Sequence, residues 1–416
     1  VIAIVGSTGT GKSQLGVEIA QHLASLPGPS SYQGAAILSS DSMQIYHNLD
    51  VITNKATLAE QGEVPHHLMS FLDPAKGERY DLQRFVREAK RVAEQECLDK
   101  GKVPIVVGGT IYWTQHLLCP GNVVERRGEG EDDNEGAGGW REPKDGALRL
   151  AFERMDEEQR KTWQNVVAGP LNSSSAETPA TPSPREMHQL LTTLDPLMAS
   201  RWHPLDGRKI ANSLHVIART GRRHSDWVKE QEQEQDDNAE ASSSASIPHW
   251  SGNPLRTLLF WIYASRPELN ARLDARVDKM IPRGLLDEIR TLRRIAAEAR
   301  GSIDTSQGIF QAIGYKEFKP FLDALDDLER SGDGQAVSVL PAAGDMKSAT
   351  RQYAKKQVGW MRNKLLPEIA RTRRLRGEGV MEVVLLDATR PEEWEEKVRK
   401  PALKAVEAFM KGEAIP

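Results

Sequence analysis

Gly6-Ser7-Thr8-Gly9-Thr10-Gly11-Lys12-Ser13 follows the spacing G-x-x-x-x-G-K-[ST]. In such a loop, successive backbone N–H groups cradle phosphate oxygens, and the N-terminus of the following helix adds a favourable dipole. Lys12 supplies a compact positive charge, and the Ser13 hydroxyl suits a magnesium ion. Binding a phosphate is separate from hydrolysing it. Loops of this kind that cleave nucleoside triphosphates pair with an acid at the end of another strand, whereas the apolar run 103–107 ends in Gly108-Gly109-Thr110. Asp41 is the carboxylate that directly follows an early apolar run, within Ser39-Ser40-Asp41-Ser42. Its hydroxyl neighbours suit a positioned hydrogen-bonding group, a metal ligand or an ordinary helix N-cap. Spacing leaves all three open.

The elements that must position these groups are legible from hydrophobic pattern. Residues 1–5 (VIAIV) read as a buried strand, and Leu15, Ile19 and Leu23 line one face of a helix starting at Lys12. Further apolar runs at 35–38, 103–107, 255–263 and 380–386 alternate with helical segments such as 82–98. Continuous apolar strands alternating with helices predict an α/β fold, with a parallel sheet covered on both faces. The expected architecture is a P-loop core whose parallel sheet is flanked by helices, plus a mostly helical insertion domain.

The core is interrupted by polar stretches. Residues 121–146 are rich in Gly and acids, 169–184 in Pro, Ser and Thr, and 229–246 form an acidic and serine tract of low complexity. With the gap at 331–345, these are expected to be solvated, disordered loops. Residues 148–167 read as a helix between two of them. The division expected is 1–120 for the first part of the core, 121–197 for the helical insertion, and 198–416 for the rest of the core and the C-terminal helices.

Composition bounds the function. A chain of 416 residues is long enough for two or more units, and 39% hydrophobic with 27% charged residues fits a globular protein. No apolar run reaches the length of a transmembrane helix, so no membrane association is expected. Two cysteines, Cys97 and Cys119, cannot make a disulfide framework or a four-cysteine zinc site. They point to a reducing compartment, the cytoplasm first, with mitochondrion and nucleus open. A net charge of −4 excludes a protein that is basic all over, but residues 350–376 hold nine basic side chains against the single acid Glu368. Within this stretch Arg351, Lys355 and Arg362 share a helical face, with Tyr353 and Trp360 nearby for packing or stacking. A solvated basic helix is the plain alternative.

Taken together, the motifs resemble those of the tRNA isopentenyltransferases, also called tRNA dimethylallyltransferases. The loop 6–13 carries the family's Thr8, and Ser40-Asp41-Ser42-Met43-Gln44-Ile45-Tyr46 is similar to its S-D-S-x-Q-x-Y signature. Asn54-Lys55, Pro65-His66-His67-Leu68 and the P-x-x-V-G-G-T stretch ending in Thr110 follow in order. Asp195-Pro196, His203-Pro204, Arg276-Val277-Asp278, the run 311–317 and the run 351–357 (RQYAKKQ) complete the series. The likeness covers roughly 1–362, insertions excepted, and looks more eukaryotic than bacterial. Departures occur at Leu205, Asn212 and His215, where the family shows Asn, Arg and Glu, in a segment expected to touch tRNA. The zinc finger frequent in eukaryotic relatives has no counterpart in these residues, since no cysteine follows Cys119.

The resemblance implies transfer of a dimethylallyl group from dimethylallyl diphosphate to the exocyclic amine of the adenine 3′ of the anticodon. It assigns diphosphate binding to Gly6, Ser7, Thr8, Gly9, Thr10, Gly11, Lys12 and Ser13, with magnesium at Ser13. It assigns catalysis to Asp41, Thr8 and Arg276. Contacts to tRNA are expected from Asp41, Ser42, Met43, Gln44, Thr110, Arg208, Lys209, Arg351 and Lys355, with the chain acting as a monomer. The chemistry agrees: the adenine amine is a weak nucleophile, and a carboxylate in reach can orient it and accept its proton. Taken without the resemblance, the basic face Arg272, Arg276, Lys279 and Arg283 would read as solvated. Adjacent His66 and His67 lack a further ligand set at zinc spacing and read as hydrogen-bonding residues. Two other functions compete: a free-adenylate isopentenyltransferase, which needs no tRNA surface, and a P-loop small-molecule kinase, which needs an acceptor site that the sequence does not offer. A noncatalytic nucleic-acid-binding module is a third reading, against which an intact Lys12, Ser13 and Asp41 speak.

Overall fold

The apolar runs become strands buried on both faces, as continuous hydrophobicity requires. In chain order they are β1 (Ile2–Gly6), β2 (Ala35–Ser39), the short β3 (His66–His67), β4 (Val103–Val107), a separate antiparallel pair β5 (His249–Trp250) and β6 (Asn253–Pro254), β7 (Thr257–Tyr263) and β8 (Met381–Asp387). The computed structural model describes residues 1–26, 33–119, 142–143, 145–168, 182–230, 249–250, 253–254, 256–299, 303–331, 337–377 and 379–416. The polar stretches expected as loops at 121–146, 169–184 and 229–246 lie mostly outside them.

Six strands form one parallel sheet in the order β3-β2-β4-β1-β7-β8. Alternate residues of each strand feed opposite layers. Ala3, Val5, Leu38, Val106 and Leu259 join one core, which the helices Leu82–Val92, Ile111–Leu118 and Leu286–Glu298 cover. Ile2, Ile4, Ile37, Ile105 and Phe260 join the other, under Leu15, Ile19 and Leu23 of helix Lys12–Ser25 and Val406 of helix Lys400–Lys411. Three layers result, as expected. From β1 the chain runs outward to β2 and β3, returns to place β4 between β2 and β1, and later adds β7 on the far side of β1. The carboxyl ends of β1, β2 and β4 are therefore neighbours on one edge, where open α/β sheets place ligands.

The chain divides into two compact units, one of Val1–Pro120 with Ser246–Pro416 and the other of Gly121–Ala245. The second runs well past the boundary at 197 drawn from sequence. The reason is packing: Ile210, Leu214 and Ile217 of helix Gly207–Thr220 share one core with Leu190, Leu191 and Leu194 of helix Pro184–Leu194. Two smaller expectations also need correction. The helix expected over 148–167 is split into Gly146–Glu153 and Glu157–Ala168, because Asp156 accepts the Gln159 N–H at 2.7 Å and starts a second helix. The last long helix begins at Leu340, inside the gap expected at 331–345, and runs to Trp360.

Candidate active site

The phosphate loop hangs between β1 and helix Lys12–Ser25. Gly11, at φ 89°, takes the N-cap position in the left-handed region that favours glycine, and it has no side chain to cap the first-turn N–H groups. That turn also lacks an acid, so its partial positive charge is left to an anion. Thr10 Oγ1 donates to the Ser7 carbonyl at 2.9 Å, and Lys12 Nζ donates to the same oxygen at 2.9 Å, drawing the lysine across the loop. Burial pushes the Lys12 ammonium down to about 8; neighbouring Arg276 adds to the shift and Asp41 opposes it. Ser13, exposed at the first turn, is the loop hydroxyl that can reach a cation held by phosphate oxygens.

β2 delivers Asp41 to the same edge. Its Oδ1 accepts the Met43 N–H at 3.0 Å. The residues that follow make turns and the next helix starts only at Leu58, so the helix-cap reading of Asp41 reduces to this one local bond. Burial raises the Asp41 carboxyl above its ordinary range, while the N–H groups of Met43, Gln44 and Gly109 and the Lys12 ammonium pull the other way. Arg276 comes from helix Arg266–Met280, whose Leu269, Leu273 and Val277 are buried, as their spacing requires. Arg276 is half-buried as a residue, and its Nε is buried with no hydrogen-bond partner among the described residues. Burial lowers its pKa, and the charge of Asp41 holds it up. Two cations, Lys12 of the loop and Arg276, thus sit within electrostatic reach of one carboxylate, Asp41. An orphaned guanidinium beside a cationic loop is a site for an anion.

The turn after β4 completes the edge. A Cβ on Gly109 would lie 3.0 Å from Asp41 Oδ2 and 3.1 Å from Gln357 Nε2, so a larger residue here would press both side chains back by a few tenths of an ångström. Thr110 Oγ1 accepts the Ser42 N–H at 2.9 Å and donates to Ser42 Oγ at 3.1 Å, tying the two loops into one rim. Gln44 is fixed by bonds from its amide to the Thr53 and Asn54 carbonyls, and Met43 packs on the core beneath. Thr8, Asp41, Ser42, Gln44, Thr110 and Arg276 therefore belong to one edge.

Other expected contacts sit elsewhere or are already engaged. Arg351 pairs with Asp274 at 2.5 Å and Lys347 with Asp278 at 2.6 Å, so acids of helix Arg266–Met280 neutralise part of the basic helix; Lys355 is exposed. Arg208 and Lys209 lie in the second unit. Lys209 is paired with Asp206 at 2.8 Å and stands over the Trp202 ring, while Asp206 caps helix Gly207–Thr220. His66 bonds the Val64 carbonyl through Nδ1 and pairs with β2, a structural role as expected. Among the described residues no group of three or more His, Cys, Asp or Glu could hold a metal.

Two further residues belong to the site. Arg272, which pattern alone reads as part of a solvated basic face, donates to the Ala388 and Thr389 carbonyls at 2.8 and 2.7 Å and reaches the Gly9 carbonyl at 3.5 Å. Gln357 accepts the Thr8 N–H and donates to the Gly109 carbonyl, each at 2.8 Å. The run 351–357 contained Gln357, but nothing local signals a partner 349 positions away.

Comparison with known proteins gives the chain's family. The profile of the IPP transferase family matches residues 44–364. A tRNA dimethylallyltransferase of Schizosaccharomyces pombe is 34% identical over 99% of this chain and 79% of its own length. The Homo sapiens tRNA dimethylallyltransferase is 32% identical over 99% of this chain and 75% of its own. Among solved structures, a eukaryotic dimethylallyltransferase acting on tRNA superimposes with a TM-score of 0.66 and 29% identity, covering all of this chain and 80% of that one. With the profile spanning most of the sequence and the relatives matched almost end to end, the chain belongs to the IPP transferase family.

Proposed function

We propose that this chain transfers a dimethylallyl group from dimethylallyl diphosphate to the exocyclic amine of the adenine 3′ of the anticodon in tRNA. The observation that carries it is the trio beside the sheet edge: a half-buried carboxylate, Asp41, with Lys12 of the phosphate loop and Arg276, whose buried Nε has no hydrogen-bond partner among the described residues. A kinase needs an acid aligned with the loop for its metal, and β4 ends in glycines. The relatives' names, and the structure of one acting on tRNA, support the same reading.

In this mechanism the loop 6–13 grips the diphosphate, with Lys12 and Arg276 holding the charge that gathers on it as the allylic C–O bond breaks. The Thr8 hydroxyl, in the same loop, would donate a hydrogen bond to the diphosphate or its bridging oxygen. The adenine amine donates a hydrogen bond to Asp41, its nitrogen forms the new C–N bond, and its proton passes to the carboxylate. Burial suits Asp41 to this, because a carboxylate with a raised pKa is the stronger base. Magnesium would be held by the Ser13 hydroxyl and the diphosphate oxygens, an all-oxygen set that fits a hard cation, and would neutralise leaving-group charge. Ser42, Met43, Gln44 and Thr110 form the rim that would meet the anticodon loop. Lys355 and Arg351 would contact the tRNA backbone beside that rim, and Arg208 and Lys209 would contact it from the second unit. We place this activity in a reducing compartment, the cytoplasm, where Cys97 and Cys119, not joined in a disulfide, stay reduced. One chain per tRNA is the proposed stoichiometry.

Incubation with labelled dimethylallyl diphosphate and either unmodified tRNA, AMP or ATP tests the proposal. Label should enter tRNA alone. Transfer to AMP or ATP in preference to tRNA would replace it with the free-adenylate reading.

A further inference from the structure

Gln357 joins two loops that the reaction needs at a fixed separation. It lies on helix Leu340–Trp360 and is only 4% exposed. Its Oε1 accepts from the Thr8 N–H of the phosphate loop at 2.8 Å, and its Nε2 donates to the Gly109 carbonyl at 2.8 Å. A primary amide carries an acceptor and a donor side by side, which neither a carboxylate nor an ammonium can match. One end of this strap is the loop that holds the leaving group. The other is the glycine against which Asp41 is packed, close enough that an added Cβ would stand 3.0 Å from Oδ2. Tyr353, one helical turn earlier, donates to the same Gly109 carbonyl at 3.3 Å and reinforces that end. The Thr8 N–H is thus spent on the protein.

We propose that Gln357 is a positioning residue that sets the distance between the diphosphate loop and the proton-accepting carboxylate, an inference that rests on the transferase reading above. It acts through Thr8 and Gly109. Its loss should therefore leave each substrate bound while spoiling their mutual approach.

Gln357→Met keeps the length of the side chain and removes both bonds. The single-turnover rate with both substrates saturating should fall about 10²-fold, the usual cost of misplacing reacting groups by about 1 Å. The KM values for dimethylallyl diphosphate and tRNA should stay within about threefold of the parent. Gln357→Glu supplies a second readout. A protonated Glu both accepts from Thr8 and donates to Gly109, whereas an ionised one cannot donate and adds a negative charge beside Asp41. The nearest titratable groups are Tyr353 and Asp41, and Asp41 in turn interacts with Lys12 and Arg276. The rate of Gln357→Glu relative to the parent should approach one at the acidic end of the profile and fall as pH rises, while the Gln357→Met ratio stays flat. A Met variant as fast as the parent, or one that raises both KM values with turnover unchanged, would overturn the proposal. If the Met variant does not fold, the Glu ratio decides: a ratio flat across pH overturns it. Failure of the parent itself to prenylate tRNA in this assay sinks the transferase reading instead.

Discussion

Asp41 shows how little chemistry one carboxylate needs once its surroundings are arranged. Burial makes it a stronger base, and the Met43 N–H together with Lys12 keeps it able to ionise. Asp41→Asn preserves shape and the local bond but cannot take the amine proton. Single-turnover transfer should drop by on the order of 10²–10⁴, with tRNA affinity within a few-fold. The acid limb of the parent's rate profile, set by protonation of Asp41, should vanish from what remains. A rate near the parent's would return Asp41 to a merely local hydrogen-bonding role. Lys12 sets the other limb. Its pKa is pushed down to about 8 by burial, so the ammonium is present below that pH and lost above it. Bound diphosphate favours the charged form, so binding takes up a proton in alkaline solution. Affinity for inorganic diphosphate, measured by calorimetry and compared with a Lys12→Met variant to cancel the ligand's own titration, should lose the lysine's contribution as pH rises above about 8. Affinity that holds through pH 10 would mean that the lysine charge contributes little.

Among the elements, what the sequence made legible was local. The loop 6–13 announces itself because eight consecutive residues do the work, and Asp41 because it directly follows a strand. Strand identity was legible in the same way, since runs such as Val103–Val107 bury every residue. The order β3-β2-β4-β1-β7-β8 was not, because pairing partners such as Ile2 and Leu258 are distant in sequence. The same limit hid Arg272 and Gln357, whose bonds go to other elements, and the acids Asp274 and Asp278 that engage part of the basic helix. Arg272 gives this limit a measurable form. It joins helix Arg266–Met280 to the end of β8 and to the Gly9 carbonyl, so it braces the outer side of the phosphate loop. Charged hydrogen bonds of this kind contribute roughly 1.5–3 kcal/mol each. With part of that falling on folding, Arg272→Ala should weaken diphosphate binding about tenfold, or about 1.4 kcal/mol. Unchanged affinity in a folded variant would show the loop to be rigid without its brace.

At the scale of the whole chain, the second unit has its own hydrophobic core, built from residues between Leu148 and Ala218. Its polar keystone is Asp195, fully buried, whose Oδ1 accepts the Met198 N–H at 3.1 Å and caps helix Pro196–Arg201. Its Oδ2 accepts the Ser225 N–H at 2.8 Å, bringing the end of that unit's described chain back to its middle. Removing the carboxylate costs a helix cap, about 1 kcal/mol, and strands a buried N–H, roughly 1–3 kcal/mol. Asp195→Ala should therefore destabilise this unit by about 2–4 kcal/mol. Asp195→Asn, which keeps one acceptor oxygen, should lose about half as much. Because the unit's core is its own, amide hydrogen exchange should accelerate across 184–220 while the strands β1, β2 and β4 keep their protection. Diphosphate binding, which uses only the first unit's loop, should survive, and prenylation of tRNA should fall through a raised KM for tRNA. Equal loss of protection in both units would mean that they unfold as one cooperative body. The basic residues of the second unit would then act on a scaffold shared with the phosphate loop.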